Sequence, residues 1–343
     1  MTKPLPKYRE RFLRNVDTRQ VLLYYKQEDK PQRIPQSRNA GKEYVMALNL
    51  NNMSTESRNP NSMELDIMTP LEVVTLMNNE DAKVAEAVRP ALPNIAQCVS
   101  WAIESIRAGG RIIYMGAGTS GRLGILDAVE CPPTFGVAPE VVVGLIAGGN
   151  HTFIESVESA EDSSELGRED LVRLNLEKRD IVIGIAASGR TPYVLGGLAY
   201  GREVGCRTVA VSCNPGSAIG QAAELAIEVV PGPEVLTGST RLKAGTSQKM
   251  ILNMISTATM VGCGKAYQNL MVDVMQTNEK LVVRAQNIVM EATGCDRETA
   301  AGTIAAAGGS VKTAVTMILA DCGPEEARER LARGNGKVRE AVR

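Results

Sequence analysis

Five short apolar runs recur between Arg111 and Val230: "RIIYMG", "VVVGLIAG", "DIVIGIAAS", "RTVAVSCN" and "AELAIEVV". Continuous apolar runs of this length suit strands covered on both faces, and the segments between them have room for the helices that parallel crossovers need. The pattern predicts an α/β fold with a doubly wound, mainly parallel five-stranded sheet flanked by helices. Ligands of such sheets gather at the carboxyl ends of the strands.

Helical signals fill the gaps. "TPLEVVTLMNNED" carries a Thr N-cap, a Pro in the first turn and a Glu three residues after the cap, which predicts a helix from Thr69. A second helix is expected from Asp81 to Ala108, ending at a glycine signal in "AGG". Within the sheet region, "GTSGRLGILDAVE", "FIESVESAEDSSELGREDLVRL" and "TPYVLGGLAYGREVG" read as helical. After Thr237 the chain turns helical again, and "DRETAAGTIAAAG", "SVKTAVTMILAD" and "PEEARERLARG" predict a three-helix bundle near the C-terminus. Residues 1–52 are rich in charge, Gln, Asn and Pro and read as a poorly ordered extension with one short helix near Arg11 to Tyr25. The expected division is therefore 1–52, an α/β domain over 53–290, and a helical bundle over 291–343.

Composition excludes several chemistries. With 38 basic against 39 acidic side chains, no general field for nucleic acid is expected. One histidine, His151, rules out a metal site built on several histidines. Acid–base work therefore falls to Asp, Glu, Lys or Tyr. Seven cysteines without C-x-x-C pairing read as reduced thiols of a cytoplasmic protein. No apolar run is long enough for a membrane span.

Two strand-to-loop junctions resemble each other: "IIYMGAGTSGRLG" and "IVIGIAASGRTPYVLG". Each places Ser-Gly-Arg just beyond an apolar strand, at Ser120-Gly121-Arg122 and Ser188-Gly189-Arg190. Small residues let backbone approach an anion, and the amides of the following helix supply donors. One such loop alone reads as a tight strand–helix turn; two in one sheet point to a phosphorylated small molecule. Neither matches a nucleotide P-loop, and "GAGTSG" lacks the acid that a dinucleotide fingerprint would bring about 20 residues on.

Glu130 is expected past the end of the first helix, where the Cys-Pro-Pro that follows would hold it rigidly. A solvated acid at a helix C-terminus remains the alternative. Glu161 sits in the acidic stretch "ESVESAEDSSE", from which periodicity selects no member. A third polar concentration, "EVLTGSTRLKAGTSQK", sets Thr237, Ser239, Thr240, Arg241, Lys243, Thr246 and Ser247 before an apolar helix. Cations there oppose the helix dipole, which a bound anion would relieve; a capped helix with a basic first turn is the plainer reading.

"GAGTSGRLGILDAVECPPTFG", "AASGRTPYVLGGLAYGREVGCRTVAVSCNPGS" and "TGSTRLKAGTSQKMILNMIST" together closely resemble the N-acetylmuramic acid 6-phosphate etherases of the sugar-isomerase (SIS) phosphosugar-binding superfamily. The resemblance runs from about Met53 to Arg343, and extends more loosely to animal glucokinase-regulatory proteins, which bind phosphosugars without turning them over. It implies an SIS-type sheet, a UBA-like C-terminal bundle, a homodimer with composite sites, and no metal or organic cofactor. It further implies cleavage of the C3 lactyl ether by β-elimination and hydration, with Glu130 as proton donor and Glu161 as second acid–base residue. Gly118, Thr119, Ser120, Arg122, Ser188, Gly189, Arg190, Thr191 and Ser239 are expected around the phosphosugar, and Arg241 and Lys243 are expected at the lactyl carboxylate on their charge and position alone. The competing readings are a non-catalytic phosphosugar regulator, which needs neither glutamate, and a ketose–aldose isomerase, which leaves "ECPPTFG" unexplained.

Overall fold

The computed structural model describes residues 53–155, 158–276 and 278–343. The extension expected over 1–52, with its short helix, lies outside the described residues. Five strands form one sheet: β1 (Ile112–Gly116), β2 (Val142–Ile146), β3 (Ile181–Ala186), β4 (Arg207–Ser212) and β5 (Leu225–Glu228). Their order is β2-β1-β3-β4-β5, and every neighbouring pair is parallel. β1 and β3 are buried along their whole length, as their unbroken apolar runs require.

Before the sheet come α1 (Pro70–Asp81), α2 (Val84–Val88) and α3 (Leu92–Arg107). α1 begins with the expected capping box: Thr69 accepts from the Glu72 backbone and Glu72 reaches back to Thr69. The single helix expected from Asp81 to Ala108 is instead broken into α2, a short 3-10 turn at Arg89–Ala91, and α3. Pro90 and Pro93 explain the break, since neither ring nitrogen can donate within a continuing helix. Within the sheet region lie α4 (Gly118–Phe135), α5 (Ser164–Arg173), α6 (Pro192–Val204) and α7 (Ala218–Ala222), followed by α8 (Lys243–Gly262). The segment expected to be largely helical from Phe153 is so only in α5; before it are 3-10 turns at Asn150–Phe153 and Glu158–Ala160.

Strand side chains alternate between two cores. Ile112, Tyr114, Ile183, Ile185, Val209 and Val211 pack with α3, α4 and α8 on one face. Ile113, Met115, Val182 and Ala210 pack with Leu171 of α5 and Tyr193, Val194 and Leu198 of α6 on the other. At the C-terminus, α10 (Arg297–Ala306), α11 (Val311–Ala320) and α12 (Pro324–Arg333) occupy the three expected helices. α9 (Glu279–Thr293) contributes Ala285, Ile288 and Val289 to the same third core, and α13 (Val338–Ala341) adds Val338 and Ala341. All described residues fall within one compact unit, Leu50–Arg343.

Candidate functional site

β1 and β3 lie side by side, with Gly116 opposite Ile185. α4 then leaves β1 for the first core and α6 leaves β3 for the second, so the chain parts in opposite directions beyond these two strands. That divergence is the topological switch point where open α/β sheets hold their ligands. The two Ser-Gly-Arg segments form its two lips.

On the first lip, α4 starts at Gly118 with no side-chain cap, so its leading amides have no partner of that kind. Gly118 has φ +51, and a Cβ there would meet nothing within 4 Å. The space above it is open to an incoming group. Ser120 is buried, and its hydroxyl donates to Gln248 Oε1 of α8 at 2.9 Å. Thr119 faces the start of α8, where a Cβ on Gly245 would lie 3.5 Å from Thr119 Cγ2. Sequence reading missed Gln248, which sits in an apolar helix and reveals itself only through this contact.

On the second lip, the Ser188 hydroxyl accepts from the Arg190 N–H at 3.3 Å. Gly189 has φ +72, and a Cβ there would press within 2.4 Å of Ser217 Cβ. Thr191 is half-buried at the N-cap of α6 and forms no side-chain cap bond. By contrast the side chains of Ser163, Ser217, Asn278, Asp296 and Ser310 all cap their helices. Arg190 is exposed, with Nη1 3.7 Å from Met53 Sδ.

Two expected ligands have other work. Arg122 points away from the lip: its Nε donates to Phe153 O at 2.9 Å and its Nη2 to Thr152 O at 2.8 Å. It pins the turn after β2 rather than offering charge to the crevice. Lys243 is buried, and its Nζ donates to Glu80 Oε2 at 2.6 Å. Burial works to raise the Glu80 carboxyl pKa, but hydrogen bonds from Lys243, Lys83, Asn61 and Asn59 outweigh it and hold it at about 2. The Lys243 ammonium therefore belongs to an internal pair with Glu80. Its backbone is equally committed: Glu234 accepts from the Lys243 and Ala244 N–H groups at 2.9 Å each and caps α8. Burial pushes the Glu234 carboxyl up against those same bonds. Arg241 alone of the two cations is exposed, and Ser239 beside it is half-buried.

Glu130 does not follow the end of a helix. α4 runs on through Cys131, Pro132 and Pro133 to Phe135 and closes at Gly136, whose N–H bonds to Pro132 O. Burial of Ala128, Cys131 and Phe135 in the first core holds the last turns together where the two prolines withhold donors. Glu130 is exposed on this helix, between solvent-facing Val129 and the prolines. One turn earlier, Asp127 accepts from the Ser256 hydroxyl at 3.1 Å. Burial pushes its carboxyl up to about 6, against the pull of Ser256, Tyr114 and Lys249. Glu161 is exposed, and its carbonyl accepts the Tyr193 N–H of α6 at 3.0 Å, which fixes it beside the second lip.

Asn214, also missed from sequence, is buried at the end of β4 and binds both the second lip and residues 54–55. No single described helix is long and apolar enough to cross a bilayer.

The chain is similar along most of its length to known proteins. Residues 94–202 match the glucokinase regulatory protein N-terminal SIS domain, and residues 157–258 match the SIS domain. An N-acetylmuramic acid 6-phosphate etherase from Exiguobacterium sp. is 59% identical over 293 residues, covering 85% of this chain and 100% of the relative. Etherases of the same name from Pectobacterium atrosepticum and Geobacillus sp. are each 57% identical, covering 86% and 85% of this chain and 97% and 99% of their own. With an SIS sheet and identity of this extent along its length, the chain belongs to the N-acetylmuramic acid 6-phosphate etherase family.

Proposed function

We propose that this protein is an N-acetylmuramic acid 6-phosphate etherase, releasing D-lactate and N-acetylglucosamine 6-phosphate. The observation that carries the reading is the pairing of two Ser-Gly lips across the β1–β3 switch point, in a chain 59% identical to an etherase over 293 residues. The 6-phosphate lies between Gly118, Thr119 and Ser120 on one side and Ser188, Gly189 and Thr191 on the other, with Arg190 at the rim. Arg241 and Ser239 face the lactyl end.

A base removes the C2 proton of the open-chain sugar, the C3–O bond breaks, and the departing lactyl oxygen takes a proton. Water then adds at C3 and C2 regains its proton. Glu130 is the donor to the leaving oxygen and Glu161 the second acid–base group, an arrangement suited to a chain with one histidine.

Geometry supports a homodimer with shared sites. Glu130 stands on α4, which begins at Gly118; at 1.5 Å of rise per residue it is about 18 Å along the axis, farther than one hexose phosphate reaches. Glu161, by contrast, is tied to the second lip of its own chain. Each site thus takes Glu161 and both lips from one copy and Glu130 from the other. Exposed Leu126 and Val129 flank Glu130 as an apolar seat for that contact.

Incubating the protein with N-acetylmuramic acid 6-phosphate should release D-lactate; none above background sinks the etherase reading. Shared sites make a second demand. Co-expressed Glu130→Gln and Glu161→Gln chains, each inactive alone, should recover about a quarter of parental activity, since half the dimers are mixed and each of those has one whole site. No recovery rules out the shared site.

A further inference from the structure

We propose that Asn214 is a positioning residue of the phosphate site and that the segment Met53–Asn59 is built into that site as a strap. The inference deepens the etherase reading and rests on it for the identity of the sugar, but not for the binding of phosphate.

Asn214 joins three pieces of chain far apart in sequence. Its Oδ1 accepts from the Ser54 N–H at 2.9 Å, with the Ser54 hydroxyl 3.0 Å away. That hydroxyl also reaches Cys213 O at 3.1 Å. On its other side, Nδ2 donates to Ala187 O at 3.1 Å, with Thr55 Oγ1 at 3.2 Å and Ser188 O at 3.4 Å. Asn214 is 5% exposed, so these bonds have little competition from water.

The Ala187 carbonyl is the decisive partner. It accepts both from Asn214 and from the Cys213 N–H at 3.0 Å, which turns it inward. Across a planar trans peptide, the Ser188 N–H points the opposite way. Among the described residues that N–H has no hydrogen-bond partner. Asn214 therefore presets a backbone donor on the second lip before any anion arrives, and spares the loop the ordering that binding would otherwise demand.

The strap continues along the same rim. Asn59 Nδ2 donates to Pro233 O at 3.0 Å. Asn61 donates to Glu80 at 2.9 Å, and Glu80 holds Lys243 at the start of α8. A Cβ on Gly238 would lie 3.5 Å from Glu56 Oε2, so the strap also flanks the loop that carries Ser239 and Arg241. The loops after β3 and β4 and the loop before α8 are thus tied by one segment with Asn214 at its first knot.

Asn214→Asp tests this with nearly unchanged shape. It keeps the acceptor toward Ser54 but sets a carboxylate oxygen against Ala187 O, Ser188 O and Thr55 Oγ1. Inorganic phosphate binding, read by calorimetry, should weaken about tenfold, the scale that follows from losing one buried orienting hydrogen bond. The substrate KM should rise by a similar factor while kcat stays near the parent value. Unchanged phosphate affinity, or a loss of kcat with phosphate affinity intact, overturns the proposal. Failure of the parent protein to release lactate would sink the etherase reading and leave the phosphate comparison standing. If Asn214→Asp does not fold, Ser54→Ala decides instead: weaker phosphate binding supports the strap, and parental affinity overturns it.

Discussion

The two Ser-Gly-Arg junctions share three letters and a place beside neighbouring strands, yet they are built differently. At the first, the serine is buried against Gln248 and the arginine is tied to the carbonyls of Thr152 and Phe153. At the second, the serine is half-buried, its hydroxyl takes the Arg190 N–H, and the arginine side chain is exposed. The glycines differ too. The motif glycine of the first junction, Gly121, sits inside α4 against the Gly116 carbonyl, with Gly118 before it under open space, while Gly189 has φ +72 and is pressed against Ser217. The same three letters lie inside the first turns of α4 at one junction and in the loop before α6 at the other, and the packing around each decides which side chain is left to meet a ligand. One arginine is structural and the other is available.

The largest expected difference lies in the glycines. Gly189→Ala combines left-handed backbone strain with a Cβ 2.4 Å from Ser217 Cβ. Ser217 cannot retreat, because Glu228 holds its N–H at 2.8 Å and its hydroxyl at 3.0 Å. Strain costs about 1–2 kcal/mol and overpacking about 1–3 kcal/mol more. Gly118→Ala meets only the strain. Thermal unfolding should therefore show a clear loss for Gly189→Ala, together with weakened substrate binding, and a much smaller loss for Gly118→Ala. Equal losses would mean that the Ser217 contact is not what sets the second lip apart.

How much of this asymmetry could be read beforehand follows from the range of the interactions. The five strands, the Thr69 cap and the two lips are written in local runs of residues, and the structure carries them where the sequence places them. Side-chain partners are another matter. Lys243 finds Glu80 across 163 positions and Asn214 finds Ser54 across 160, and nothing local to either residue encodes the choice. The path of α4 past Pro132 and Pro133 was hidden for a similar reason. Proline is a local stop signal, and the burial of Cys131 and Phe135 that overrides it is tertiary. Glu161 was selected from its acidic neighbours by family resemblance alone; its tie to Tyr193 is a backbone bond that any residue at that position can make.

The arginines give the finest discrimination. Arg122→Ala removes two charged donors and leaves the carbonyls of Thr152 and Phe153 short of partners. The Thr152 side of this contact is buried, so the loss should be about 1–3 kcal/mol of stability. KM should stay near the parent value, because this guanidinium does not face the crevice. Arg190→Ala should do the reverse. An exposed side chain without an ion pair among the described residues contributes little to folding, within about 0.5 kcal/mol, but its charge at the rim should leave KM several-fold higher when it goes. Measuring Tm and KM for both variants places each arginine independently. If Arg122→Ala raised KM without lowering Tm, the first junction would offer its cation to substrate after all, and the two lips would be functionally alike. If instead the effects separate as expected, the repeated Ser-Gly-Arg is one short sequence in two different settings, with only its second copy supplying charge to the phosphate.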